Sequence, residues 1–245
     1  MDDYSEAAEA DRNKIELLVR SSINWSERVL YSSQSLFDRE SQQVPTKAIR
    51  FPHGVDLALF DPTSPATEPP DLAGIPRPHL GHVGNLEDHD RQLQIAEVAA
   101  LLPEFQFILI GHSDEVRPEL VRPNVHLLGK RPHEQIPAYL KSFDTALLFV
   151  PRNQWGAAAE PVKVKEYLAM GVPVVANDFV GWERFAGVIR VGSDAEGVAA
   201  EIRRTLQDGG PTDAIGRTNA VAGDGWAARA AELLELLGEG NSDNA

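Results

Sequence analysis

From His79 onward the sequence alternates short apolar runs with helical patterns, and this alternation constrains the fold more than any other feature. The runs are HLGHVG (79–84), FQFILIG (105–111), NVHLLG (124–129), TALLFV (145–150), VPVVAN (172–177) and VIRV (188–191). Runs this short, apolar at consecutive positions, suit strands covered on both faces. Residues 90–102, 133–142, 161–170 and a short piece near 181–186 read as helices, and 194–207 and 225–238 close the pattern. Such alternation predicts an α/β fold with a doubly wound, parallel, six-strand sheet. It amounts to one Rossmann-like domain over 79–238, with a disordered tail at 239–245.

Residues 1–62 do not fit that domain and read as an incomplete N-terminal segment. A polar helix is expected over 5–22, strands at ERVLYSS (27–33) and TKAIRF (46–51), and a helix at about 34–41 between them. FPHGVDLALFDP reads as a turn. TSPATEPPDLAGIPRP (63–78) is rich in proline and lacks a period, so it reads as a linker.

Composition removes several function classes. The 245 residues contain no cysteine, which excludes disulfides, cysteine–zinc sites and thiol nucleophiles. The net charge of −14 repels nucleic acid, so no nucleic-acid partner is expected. The acidic start MDDYSEAAEADR has no apolar core of a secretory signal, and no apolar run approaches the roughly 20 residues of a membrane span. A cytoplasmic location is expected, with the membrane periphery as an alternative. The histidines do not suggest a metal site. His79 and His82 are three apart on a strand and face opposite sides, while His112 and His133 are isolated in loops and His53 sits in a turn.

In open parallel sheets, ligands bind beyond the carboxyl ends of the strands. Three loops there carry candidate residues. In GHVGNLED (81–88), Gly84 ends a strand; it is a turn glycine or a close approach to phosphate. In LGKRPH (128–133), Lys130 and Arg131 meet a base or a phosphate, or are solvated loop charges. In EPVKVKEYLAMGVPVV, Pro161 suits the first position of a helix, Glu160 stands near its cap, and the amides of Val162 and Lys163 are free. A helix start attracts anions. Lys163 adds a cation, and Glu166 lies one turn on along the same face. Lys165 falls on a different face and is expected in solvent. Spacing alone leaves Lys163 and Glu166 as an ordinary surface pair, the simpler reading, or as a cation and an acceptor for a nucleotide sugar.

PVKVKEYLAMGVPVV resembles the P-x-K-x-x-E-Y-x-A-x-G-x-P-V-V signature of GT-B glycosyltransferases of the family 4-like group (group 1). HLGHVGNLED, FQFILIG, PNVHLLGKRPHEQIPAYLKSFDTALLFVP, DGWAARAAELLELL and IRFPHGVDLALFDP resemble other segments of that family in the same order. The resemblance implies transfer of a sugar, with retention, from a nucleotide-sugar donor to a glycan or lipid-linked acceptor, as in polysaccharide biosynthesis. It implies no cofactor or metal, and a UDP- or GDP-sugar as substrate. By position, Lys163 and Glu166 are the catalytic pair. Lys163 and the Val162 amide face the diphosphate, and Glu166 holds the ribose. Gly84 and Asn85 line the phosphate side, and Lys130 and Arg131 flank the base.

Two departures from the family pattern stand out. The family's second glutamate, eight residues before Glu166, is replaced by Ala158, and Glu160 lies two residues off. Only the late part of the family's N-terminal acceptor domain has a counterpart, in DDYSEAAEADRNKIELLVRSSINWSERVLYSS. Acceptor-side groups are therefore expected from a further N-terminal domain or a partner chain. Ile15, Leu17, Leu18, Ile23 and Trp25 are expected to lack their natural partners. Two other readings remain: a nucleotide-sugar-binding fragment without catalysis, and a nucleotide-sugar epimerase of the same fold.

Overall fold

The computed structural model describes residues 9–153, 156, 158 and 160–239. The first four residues of the helix expected over 5–22, and 240–245 of the expected tail, lie outside them. The chain divides into two compact units. One holds the described residues up to His53 with those of Val150–Pro161 and Phe179–Arg184, and the other holds the rest. The line falls at His53 rather than at 62 for a physical reason. Val55 and Phe60 are buried, and Val55 bridges to Gly225 within the second unit.

In the first unit, α1 spans Glu9–Trp25, β1 Val29–Tyr31, α2 Gln34–Glu40 and β2 Ala48–Arg50. The Ser33 hydroxyl caps α2 by accepting from the Leu36 amide at 3.2 Å. The strands pair in parallel from Val29↔Ala48 to Tyr31↔Arg50. Val29, Tyr31, Leu36 and Ala158 form a small core, against which Ile23 packs. Leu17, Leu18 and Trp25 of α1 are exposed.

The second unit contains the predicted sheet. Its strands are β3 (His79–Val83), β4 (Gln106–Ile110), β5 (Val125–Leu127), β6 (Thr145–Leu148), β7 (Val174–Asn177) and β8 (Arg190–Gly192). They run in the order β5-β4-β3-β6-β7-β8, all parallel. Chain order reverses between β3 and β6, which makes their junction the switch point of a doubly wound sheet. The helices are α3 (His89–Leu101), α4 (Ile136–Lys141), α5 (Lys163–Ala169), α6 (Ala195–Asp208), α7 (Ala214–Asn219) and α8 (Trp226–Glu239). Asp88, Asp194 and Asp213 cap α3, α6 and α7 through their carboxylates.

Both parities of β4 are buried, as its unbroken apolar run requires. Phe107 and Leu109 join Ile95 and Val98 of α3 and Val198 and Ile202 of α6 in the main core, while Ile108 and Ile110 are closed on the other side. Gly171 takes φ +68° and ends α5, a conformation open to glycine at little cost. The proline-rich stretch is an ordered strap of this unit. Leu72 is buried, Asp71 binds Arg131 and Tyr139, and Lys141 donates to the Ser64 carbonyl.

Candidate functional site

Beyond the carboxyl ends of β3 and β4 lies a cavity of about 570 Å³. Val83, Gly84 and Asn85 line it from β3, and Ile110, Gly111 and His112 from β4. Lys130, Arg131 and His133 enter after β5, with Ile136 beneath and Lys163 at the start of α5. Gly84, Asn85, Lys130, Arg131 and Lys163, chosen from sequence, thus converge on one space. Val162 and Glu166 do not line it.

The floor depends on two glycines. Gly84 donates its N–H to the Ile110 carbonyl at 2.9 Å, which brings the two loop backbones together. A Cβ on Gly111 would lie 1.7 Å from the Gly84 oxygen, so no side chain fits there. Asn85 closes a turn, its carbonyl Oδ1 accepting from the Glu87 amide at 2.9 Å. Buried Arg91 holds this loop from below, donating to the carbonyls of Asn85 and Phe149.

The cations differ in freedom. Arg131 donates to Asp71 at 2.7 Å and to the Tyr139 hydroxyl at 2.9 Å. Those bonds, Asp71 first, raise its pKa and fix its fork. Asp71 comes from the stretch read as a linker, where no spacing pointed to it. Lys130 is exposed on the rim. The Lys163 ammonium lies 2.8 Å from Glu166 Oε2. Glu166 is 5% exposed and stands behind Lys163. His133 is not isolated, as its sequence position suggested: Nε2 lies 3.5 Å from Glu166 Oε1, and its ring packs on Phe60 at 5.2 Å between centroids. His112 is not isolated either. It gathers with Glu87 and Asp114 in an exposed group whose possible ligand atoms lie within 4.8 Å of one another.

Lys165 overturns an expectation. It is 1% exposed, and its ammonium lies 3.7 Å from Asp224 Oδ1. Every residue from Val164 to Ala169 is buried, so α5 has no solvent face along that stretch on which a lysine side chain can lie. Tyr167, on the same helix, accepts from the Val83 amide at 2.9 Å and donates to the Val83 carbonyl at 3.1 Å. Burial drives its phenol pKa well above the usual range.

In the first unit, Glu160 pairs with Arg50 and lies 3.9 Å from Arg184. Ala158 is part of that unit's core. Neither residue lines the cavity.

His82 lies at the junction of β3 and β6. It is 2% exposed, and Nδ1 is 3.0 Å from the Leu147 carbonyl. That contact makes Nδ1 the protonated nitrogen, because a carbonyl only accepts. Burial, then the nearby charge of Arg91, lowers its pKa to about 3. The unfolded imidazole gains a proton as pH falls through about 6.5, whereas the folded one stays neutral until about 3. Stability from this group is therefore full near neutrality and declines as the solution is acidified. The expected loss is about 2 kcal/mol between about pH 7.5 and pH 5. Urea unfolding at both values checks it: His82→Asn should lose about 2 kcal/mol less than the wild type.

The sequence profile of the glycosyl transferases group 1 matches residues 77–208, more than half of the chain. The chain belongs to the group 1 glycosyl transferases. It is 28% identical over 131 residues to TuaH of Bacillus subtilis, a protein whose name assigns it to teichuronic acid biosynthesis as a glycosyltransferase. The match covers 51% of this chain and 33% of TuaH, so the chain spans about a third of that relative's length. Among solved structures, sucrose-phosphate synthase from Thermosynechococcus elongatus has a TM-score of 0.66 and 21% identity, over 97% of this chain and 65% of that one. Anabaena HepE in complex with UDP and glucose has a TM-score of 0.73 and 17% identity, over 92% and 67%. These likenesses establish the GT-B fold for this group 1 chain. Among its described residues no helix is long and apolar enough to cross a membrane.

Proposed function

We propose that this chain is the donor-binding part of a metal-independent retaining glycosyltransferase, probed best with UDP- and GDP-sugars. The observation that carries this reading is the convergence of Lys130, Arg131 and Lys163 with the glycine floor in one cavity. Three cations around close-packed backbone suit a diphosphate, and they stand out in a chain of net charge −14. HepE, crystallised with UDP and glucose, supports a nucleotide sugar as the ligand. TuaH's place in teichuronic acid biosynthesis supports a glycan or lipid-linked acceptor and a role in polysaccharide assembly.

In this reading the base lies toward Lys130 and Arg131, and the diphosphate crosses Gly84 to Lys163. Lys163 exchanges its bond to Glu166 for one to phosphate, which frees the carboxylate for the ribose hydroxyls. Acceptor groups come from a further N-terminal domain or a partner chain, and the protein acts in the cytoplasm at or near the membrane.

Calorimetric titration with UDP, GDP and ADP tests the donor site. Saturable binding to one of them is expected, and Lys163→Ala should weaken it by about tenfold to a hundredfold, the loss of one charge-assisted hydrogen bond. A folded wild type that binds none of the three overturns the reading.

A further inference from the structure

Arg131 is held more firmly than the other cations that line the cavity. Nε donates to the Tyr139 hydroxyl at 2.9 Å, Nη1 to the Lys130 carbonyl at 3.2 Å and Nη2 to Asp71 Oδ2 at 2.7 Å. The Tyr139 hydroxyl in turn donates to the same Asp71 oxygen at 2.8 Å, which closes a ring of bonds among three side chains. Each side chain comes from a different part of the second unit. Tyr139 is buried on α4, Asp71 belongs to the proline-rich strap, and Arg131 lies in the loop after β5.

A guanidinium carries five N–H groups in a rigid plane. The bonds above engage one on each nitrogen, so one N–H on each terminal nitrogen has no partner among the described residues. Arg131 lines the cavity and its side chain is 27% exposed, so it is not sealed from a ligand there. Two N–H groups in one plane suit a pair of acceptor atoms, provided the plane is held still. Lys163 differs: its ammonium ends a flexible stem and meets a carboxylate of its own helix. The ring through Asp71 and Tyr139 supplies Arg131 with the fixed orientation that Lys163 lacks.

We propose that Asp71 is a positioning residue of the donor site: with Tyr139 it aims the two remaining N–H groups of Arg131 at the nucleotide. This rests on the donor-site reading above. It makes the strap, which reads as a linker in sequence, part of the binding machinery. It also predicts a sign that charge alone does not. Asp71 is an anion bonded to a cation of the cavity, so removing it leaves the cavity more positive. If Arg131 acted only as a charge, loss of Asp71 would tighten the binding of an anion. If Arg131 acts through its orientation, loss of Asp71 weakens binding in spite of the added positive charge.

The test is a double-mutant cycle on the whole chain, read as affinity for whichever of UDP, GDP and ADP the wild type binds. Arg131→Ala should weaken binding about tenfold, and Asp71→Ala about three- to tenfold. Asp71→Ala made in the Arg131→Ala background should change affinity by less than about twofold, because a residue that acts through another has nothing left to position. Tighter or unchanged binding by Asp71→Ala overturns the assignment. So does a full further loss in the Arg131→Ala background, or an Arg131→Ala variant that binds like the wild type. A variant that melts lower but keeps its affinity makes Asp71 an anchor of the strap only, which also overturns it. Should Asp71→Ala fail to fold, Tyr139→Phe takes its place in the same cycle: it keeps the buried ring, removes the hydroxyl between Arg131 and Asp71, and should give the same coupled loss. Wild-type protein that binds no nucleotide overturns the donor site itself and this assignment with it, an outcome visible before any variant is compared.

Discussion

Replacing Lys165 with alanine is expected to cost the fold about 3–5 kcal/mol, the range for removing one partner of a buried ion pair. Lys165 and Asp224 are 1% and 4% exposed, and their charged atoms lie 3.7 Å apart. Truncation takes the ammonium away from a carboxylate closed off from water, and it leaves a void where a long side chain ran between buried neighbours. The effect should also spread. The Asp224 carbonyl accepts from the Val55 amide at 2.9 Å, so a disturbed Asp224 loosens the bridge that binds residues 54–60 to their unit. Chemical denaturation of Lys165→Ala and Asp224→Asn, singly and together, measures this. A coupling energy above about 1 kcal/mol is expected, as for residues in one polar pair. Additive losses would assign the stability to packing alone.

Gly111→Ala should act on stability and ligand binding together. Its Cβ would fall 1.7 Å from the Gly84 oxygen and 2.9 Å from the Gly84 carbonyl carbon, both backbone atoms that cannot turn aside. The β3 loop must move or β4 must bend, at about 3 kcal/mol, the upper part of the usual range for overpacking. Either movement displaces the cavity floor and stretches the bond from the Gly84 amide to the Ile110 carbonyl. The melting temperature should drop and nucleotide affinity should fall more than tenfold, beyond the loss of a single hydrogen bond. An alanine variant that binds like the wild type would show that the floor is free to adjust.

The sheet was legible in the sequence because strands buried on both faces leave unbroken apolar runs. The runs at 79–84, 105–111 and 172–177 contain β3, β4 and β7. Helix α7 was missed: its six residues bury only Arg217 and so leave no apolar stripe to read. Gly84, Lys130, Arg131 and Lys163 were picked out because they follow strands or open a helix, and strand ends meet at one edge of a parallel sheet. Lys165 was misplaced by helical spacing, which separates two faces of α5 but cannot reveal that both are covered. Its neighbours Val164, Tyr167 and Leu168 point to several sides of the helix, and that was the available signal. Asp71 and the contact of His133 with Glu166 depend on chain segments far apart in sequence, so local periodicity carries no trace of them. His82 was correctly set opposite His79, but only the fold shows that one nitrogen is committed and the other is not.

The junction between β3 and β6 has a consequence for how this sheet tolerates change. β3 pairs with β4 over five residues, but with β6 only at Leu80↔Thr145 and Gly81↔Ala146. Beyond that point the His82 imidazole reaches from β3 to the Leu147 carbonyl of β6, and the Tyr167 hydroxyl of α5 takes up the backbone N–H and carbonyl of Val83. Elsewhere in the sheet, evolutionary drift among valine, isoleucine and leucine preserves pairing, since the backbone supplies the bonds. At this seam it does not, because an inherited change of His82 removes a side-chain bond between the two halves of the sheet, and one of Tyr167 takes from the end of β3 the partner of its last N–H and carbonyl.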